Sequence, residues 1–269
     1  LSSLSLPRGF KDAFLSPFMS AVWGCPWDRT LDSSVYPLMK YIVLHRPAAL
    51  AYYDWQVIAG GANAYIRKMA TLLDRATVHA GSPVTAIDKT TEGFRVVSDA
   101  TGPLDFDQVI VATGARDAGR LIAKTEGVQS AQRAISDFEY YQAKVATHSD
   151  ASFMPPNRKH WAVGNARYNG DSADMTIWWG RNTGESVFAS YVQDTLPEET
   201  HHVSTFWLPL ETPQHFEAQA GLEAVQGEGG LWFAGDYTRD IGSHEDAVVS
   251  AVAIAQRLAP DATRLAELG

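Results

Sequence analysis

The residues whose types and spacing suit chemistry cluster towards the C-terminus. Leu231-Trp232-Phe233-Ala234-Gly235-Asp236-Tyr237-Thr238 reads as a buried apolar strand running into a glycine turn that carries an acid. After a short loop, Gly242-Ser243-His244-Glu245-Asp246-Ala247-Val248 reads as the start of a helix. The first N–H groups of a helix have no partner within it, so they favour a ligand bearing negative charge. A carboxylate beside a tight glycine turn accepts hydrogen bonds from ligand hydroxyls, and the whole pattern suits a large polar cofactor. Asp236 also fits a plain role as turn or cap acid. His244 is of the residue type most used as a general base. It equally suits a hydrogen bond to the ligand, or a cap beside Ser243. Trp178, Trp179, Tyr168 and Tyr237 offer aromatic surface for an apolar substrate, although packing is the commoner use of such rings. His244, Tyr237 and Trp179 are the candidates for catalytic contact.

These residues need elements to hold them. Phe10, Phe14, Phe18, Ala21 and Val22 recur at helical spacing, and the apolar stretch Val35–Leu44 is helical with Pro37 in its first turn. Gly60-Gly61 punctuates the chain before an amphipathic helix over Ala62–Leu73. Strands are expected at Thr77–His79, Val84–Lys89, Phe94–Ser98 and Phe106–Thr113. Val109-Ile110-Val111-Ala112 is apolar at consecutive positions, the pattern of a strand buried on both faces. A helix follows around Ala118–Ala123. Residues 135–210 read as antiparallel strands over Glu139–Thr147, Trp161–Ala166, Met175–Trp179 and His202–Leu208, with turns at Pro155-Pro156 and Asn169-Gly170-Asp171. Leu231–Ala234 is a strand and Asp246–Leu258 a helix. The organisation is α/β (α+β): a helical part over 1–59, a mixed strand-and-helix segment over 60–120, an antiparallel part over 121–225, and a closing strand-and-helix segment over 226–269.

Composition removes several functions. Of 269 residues 45% are hydrophobic, ample for a core, and the net charge of −9 without any basic run argues against nucleic acid. The lone Cys25 makes an intrachain disulfide impossible and fits a reducing compartment, here taken as the cytoplasm. No apolar run approaches the ~20 residues of a membrane span. His201-His202 falls in a strand, where adjacent side chains point to opposite faces, so no metal site is expected. No G-x-S-x-G elbow anchors a hydrolase triad.

Three blocks together resemble the flavin-containing amine oxidoreductase superfamily. They are Gly60-Gly61-Ala62 with Val78 and Val84-Thr85-Ala86-Ile87; Phe106–Gly114; and Leu231–Asp236 with Gly242–Val248. Within it, Pro17–Trp23, Tyr141-Gln142, His148, Met154-Pro155, Trp161 and His244-Glu245-Asp246 are similar to a subgroup of NAD/FAD-binding proteins. The resemblance covers roughly residues 10–258 and implies a partial Rossmann-like FAD domain joined to a substrate domain of antiparallel sheet and helices. It implies that Val84 offers backbone hydrogen bonds to adenine and that Thr113 and Gly114 pass near the diphosphate or ribose. Gly235 and Asp236 would lie by the pyrophosphate and ribityl chain. The helix bearing Glu245, Asp246, Ala247 and Val248 would point at the flavin pyrimidine, with Ala247 and Val248 making the backbone contact. The implied activity is hydride transfer from a C–H bond of an apolar or amphipathic molecule to FAD. A flavin-dependent C=C isomerase or desaturase, or a non-catalytic binding partner, stand as alternatives.

One departure is large. The family opens with a strand and G-x-G-x-x-G, and no such fingerprint occurs here; Gly227-Glu228-Gly229-Gly230 lacks the βαβ context. The expectation is therefore a C-terminal chain of a two-chain or processed enzyme, completed by an N-terminal chain that carries the G-x-G-x-x-G unit.

Overall fold

The computed structural model of the protein describes residues 1–45, 56, 58–170, 172–181, 184–193 and 195–267. Helix α1 (Arg8–Phe10) runs through a π-helical segment, Lys11–Leu15, into α2 (Ser16–Trp23). Phe10, Phe14 and Phe18 sit four apart, so their rings stack at 5.1 and 5.8 Å along one face. Helix α3 (Val35–Leu44) begins where the Ser34 hydroxyl accepts the Tyr36 N–H at 3.2 Å. Pro37 occupies its first turn, where no backbone donor is required. Helix α4 (Ala62–Ala70) follows Gly60-Gly61. Thr77–His79 is not a strand. Val78 is exposed, and among the described residues no neighbouring strand offers it a ladder.

Strands β1 (Val84–Lys89), β2 (Phe94–Ser98) and β3 (Gly102–Phe106) form an antiparallel sheet in sequence order. The β1–β2 turn is tight enough that a Cβ on Gly93 would stand 2.1 Å from the Phe106 carbonyl oxygen. The single strand expected over Phe106–Thr113 is two. Phe106 ends β3 opposite Phe94, whereas β4 (Val109–Val111) pairs in parallel with β10 (Leu231–Phe233). Asp107-Gln108 is the link between two sheets of different direction, and Gln108 Oε1 accepts the Trp232 indole N–H at 2.7 Å there. Nor is β4 buried on both faces. Val109 and Val111 point into the core while Ile110 is 47% exposed, because no described element covers its side.

After α5 (Ala115–Ile122) and α6 (Gln129–Ser136) come β5 (Tyr140–His148), β6 (Gly164–Tyr168), β7 (Ala173–Trp178), β8 (Phe188–Val192) and β9 (Thr200–Pro209). They form an antiparallel sheet in the order β6-β7-β8-β5-β9. The β6–β7 turn closes with Asn169 N–H donating to the Ser172 carbonyl at 3.0 Å; Asp171 of that turn lies outside the described residues. Helix α7 (Pro213–Ala224) and helix α8 (His244–Leu258) complete the fold. Helix α6, α7 and β8 have weak sequence signals. The buried positions of α7 are His215, Ala218 and Leu222, and β8 buries Ser190 between Phe188 and Val192. That serine is admitted to the interior because it meets His148 Nε2 and Thr176 Oγ1, each at 2.7 Å.

The main core joins β1, β2, β4 and β10 to α5, α6 and α7 through Phe94, Ile122, Leu222, Leu231 and Phe233, all 1% exposed or less. Each such side chain contributes about 1.5–3 kcal/mol by leaving water. This core fixes where β4 and β10 end, and those ends build the site. Among the described residues no helix is long and apolar enough to cross a membrane.

Candidate functional site

Because β4 and β10 are parallel, their C-terminal ends open on the same side. The ladder continues one step past both strands, with Ala234 N–H donating to the Val111 carbonyl at 3.1 Å. The chain then leaves through Thr113-Gly114 into α5 and through Gly235-Asp236 towards α8. Ligands of open α/β sheets bind at such carboxyl ends, where helix N-termini supply N–H groups. A Cβ on Gly235 would lie 3.9 Å from the Thr113 carbonyl oxygen, so the two turns adjoin. Gly235 has φ 149, and its Cβ would also press the Tyr237 ring at 3.0 Å. Only glycine leaves this cradle open.

Val84 and Thr113 line one cleft of about 660 Å³, with Ile87, Val96, Phe106 and Ile110 along its walls and Asp117 and Arg120 at its rim. The structure thus brings Val84 and Thr113 to one cleft, and Thr113, Gly114, Gly235 and Asp236 to the carboxyl ends of the parallel pair. The N-terminus of α5 is plugged: Ala115 N–H donates to the Tyr140 hydroxyl oxygen at 2.9 Å. Burial pushes that phenol up to about 12.

Helix α8 starts with a capping box. Ser243 Oγ accepts the Asp246 N–H at 3.2 Å, and Asp246 Oδ2 accepts the Ser243 N–H at 2.9 Å and its hydroxyl at 2.7 Å. The Asp246 carboxylate is therefore committed to the cap, not to a ligand. The backbone contact expected of Ala247 and Val248 moves as well. Ala247 N–H donates to the Ser243 carbonyl at 3.2 Å, and Val248 lies inside the helix. Among the described residues the N–H groups without partners at this terminus are those of His244 and Glu245. Glu245 and Val248 are exposed.

The three catalytic candidates separate. His244 is exposed at the mouth of α8, its Nε2 3.0 Å from the Tyr65 hydroxyl on α4. Tyr237 is fully enclosed, edge-on to Phe138 at 5.1 Å, with its hydroxyl unpartnered among the described residues. It forms the floor beneath Gly235. Trp179 is 58% exposed beyond β7 of the five-stranded sheet, its N–H donating to the Val187 carbonyl at 2.9 Å.

The loop between Asp236 and Ser243 holds residues that sequence reasoning missed. Asp240 takes the unusual φ of 49. Its carboxylate accepts the Tyr36 hydroxyl at 2.9 Å and pairs with Lys40 Nζ. Burial alone would raise the Asp240 carboxyl, but the hydrogen bonds from Lys40 and Tyr36 prevail and hold it low. Gln219 on α7 donates from Nε2 to the carbonyls of Tyr237 and Asp240 at 3.2 and 3.0 Å. The spacing of Tyr36 and Lys40, four apart on α3, marks one helix face, yet nothing local points to a partner 200 residues away. Tyr65 gave no signal beyond its place after Gly60-Gly61.

The sequence profile described as flavin containing amine oxidoreductase matches residues 4–201, more than half of the chain. No curated protein sequence matches significantly. Among solved structures, the chain is similar in fold to a putative protoporphyrinogen oxidase from Exiguobacterium sp. 255-15, with TM-score 0.61 and 16% identity, covering 95% of this chain and 68% of that one. It is also similar to a CLA-producing fatty acid isomerase from P. acnes, with TM-score 0.51 and 10% identity, covering 74% of this chain and 52% of that one. The chain thus spans about two thirds of the first and about half of the second. The profile match ends before β10, whose place beside β4 follows from the parallel ladder itself. This chain belongs to the flavin-containing amine oxidoreductase family.

Proposed function

We propose that the chain forms the greater part of an FAD-dependent oxidoreductase that takes hydride from a C–H bond of an apolar or amphipathic small molecule. The observation that carries this reading is the pair of parallel strand ends, Thr113-Gly114 and Gly235-Asp236, meeting over a cradle that any side chain at 235 would fill. In this reading the backbone at Val84 takes the adenine end, and Thr113, Gly114, Gly235 and Asp236 take the ribose, pyrophosphate and ribityl portion. The free N–H groups of His244 and Glu245 face the flavin ring, with Asp246 holding the helix terminus in place. Bound flavin supplies the electron-pair acceptor. The α8 terminus favours negative charge at the ring, and His244, steadied by Tyr65, holds a proton at Nε2 or releases it.

The open side of β4 belongs to the same reading. Val84, Phe106 and Ile110 expose apolar surface beside a parallel pair that is two strands wide among the described residues. An uncovered edge and face of this kind call for a covering element. We propose that a βαβ unit bearing G-x-G-x-x-G, on an N-terminal partner chain, completes the sheet there.

The native protein purified from its own cells decides both parts. Flavin absorption, FAD identified after release, and a second chain in the intact mass are expected. A colourless protein with its partner present overturns the oxidoreductase. A single flavin-loaded species with only this chain's mass overturns the partner. Substrate-dependent flavin bleaching without oxygen separates hydride transfer from an isomerisation without net redox change.

A further inference from the structure

A second groove, of about 670 Å³, runs along α5 between α6 and strands β5 and β9. None of Thr113, Gly114, Gly235 and Asp236 lines it. Tyr140 stands at the division. It lines the groove, its hydroxyl oxygen holds the Ala115 N–H at 2.9 Å, and that oxygen lies 3.6 Å from where a Cβ on Gly114 would stand. The groove therefore adjoins the cradle without sharing it, and what it binds does not depend on the flavin reading. Its lining is of two kinds. Arg116 and Arg120, four apart on α5, present two guanidiniums. Ile135 and Phe138, both buried, and Trp207, 40% exposed, present apolar surface. Arg116 Cζ sits 3.9 Å from the centre of the Trp207 ring. A guanidinium over an aromatic face keeps its in-plane N–H groups for an anion. The carboxylate beside the two bases is that of Asp117, whose Oδ1 is 3.6 Å from Arg116 and 3.3 Å from Arg120. Two cations thus share one anion, and among the described residues no acid lines the groove. In a chain of net charge −9 this is a local reversal of sign.

Charge selects an anion here, and the apolar wall selects what the anion is attached to. A bare inorganic ion would leave the exposed part of Trp207 facing water. A guanidinium meets a carboxylate with two parallel hydrogen bonds, and a groove of this volume falls within the roughly 300–1,000 Å³ of small-molecule sites. We propose that the groove is a binding site for an amphipathic organic carboxylate, its head on Arg116 and Arg120 and its tail along Ile135, Phe138 and Trp207. The groove follows α5, which is eight residues or ~12 Å long, a reach that suits a tail of medium length. The side chains of Asp117 and Arg120 are 57% and 63% exposed. Exposed pairs of this kind hold weakly, so the incoming carboxylate displaces Asp117 from the guanidiniums.

Titration calorimetry on the native protein, with octanoate below its micelle concentration, tests this. Octanoate should bind. Acetate, which has the head alone, and octanol, which has the tail alone, should each bind at least about tenfold more weakly. Added sodium chloride should weaken octanoate binding. Arg116→Gln should weaken it by about tenfold or more, and Arg120→Gln should weaken it as well. Arg116→Lys, which keeps the charge and loses the fork, should fall between the wild type and Arg116→Gln. Failure of octanoate to bind overturns the proposal, and this arm needs no variant to fold. So does inorganic phosphate or octylamine that binds as tightly as octanoate, because the first needs no tail and the second no anion. An octanoate affinity unchanged in both Arg116→Gln and Arg120→Gln places the ligand elsewhere and overturns the proposal too. A colourless native protein that binds octanoate in the expected pattern removes the flavin reading and leaves this site standing.

Discussion

Replacing Gly235 with alanine strikes the cradle at its narrowest point. Two costs add. The backbone at φ 149 and ψ 169 is a conformation kept for glycine, and holding another residue there costs about 1–3 kcal/mol. The new methyl also meets Tyr237 Cε1 at 3.0 Å and Cδ1 at 3.1 Å. That ring is fully buried and braced against Phe138, so relief requires backbone or core movement, about 1–3 kcal/mol more. The sum, about 2–6 kcal/mol, is readable as a lower unfolding free energy in a urea titration at 25 °C. Repeating the substitution in a Tyr237→Leu background separates the parts. The packing share should vanish with the ring, leaving about 1–3 kcal/mol for the backbone. A loss below about 0.5 kcal/mol in the wild-type background, the level of an ordinary surface change, would refute the argument. Flavin retention in the same variant then reports whether the cradle serves a ligand.

Tyr237→Phe removes a buried hydroxyl with no partner among the described residues, so stability should hold or rise by up to about 1 kcal/mol; a loss beyond 1 kcal/mol would mean the hydroxyl is bonded. His215 is 1% exposed, and burial pulls its imidazole down to about 4 from 6.5. The unfolded chain takes up that proton first, so stability is present above pH 6.5 and falls by about 3 kcal/mol as pH drops towards 4. Urea titrations over this range should show the fall in the wild-type protein and not in His215→Gln. Ser243→Ala opens the capping box and should cost about 1 kcal/mol. Asp246→Asn weakens the same box, so the double variant should lose less than the two singles combined, and full additivity in urea titrations would contradict a shared box.

The strand-turn-helix at Leu231–Val248 was legible because each of its signals is local. An apolar strand, a glycine turn and the start of a helix each act within a few residues. Where the reading slipped, distance along the chain was the cause. The unbroken apolar pattern of Phe106–Thr113 hid a change of sheet, since pairing with Phe94 on one side and Leu231 on the other leaves no local mark. Thr77–His79 has strand-forming residues, but a strand exists only with a partner. Tyr237 looked available for chemistry from its neighbours Asp236 and Thr238, yet α6 and α7 close over it.

By itself the sequence determined the family resemblance, the glycine turn and the scarcity of metal-binding or basic motifs, because these depend on residue type and short spacing. Only the tertiary structure decided that Ile110 faces outward and that Asp246 serves the helix cap. It also placed Asp240 on Tyr36 and Lys40, and set Arg239 beside Asp246. Those outcomes depend on which side chains from remote segments share a low-dielectric interior. The proximity of charges 200 residues apart is set by packing, and no local pattern of residues encodes it.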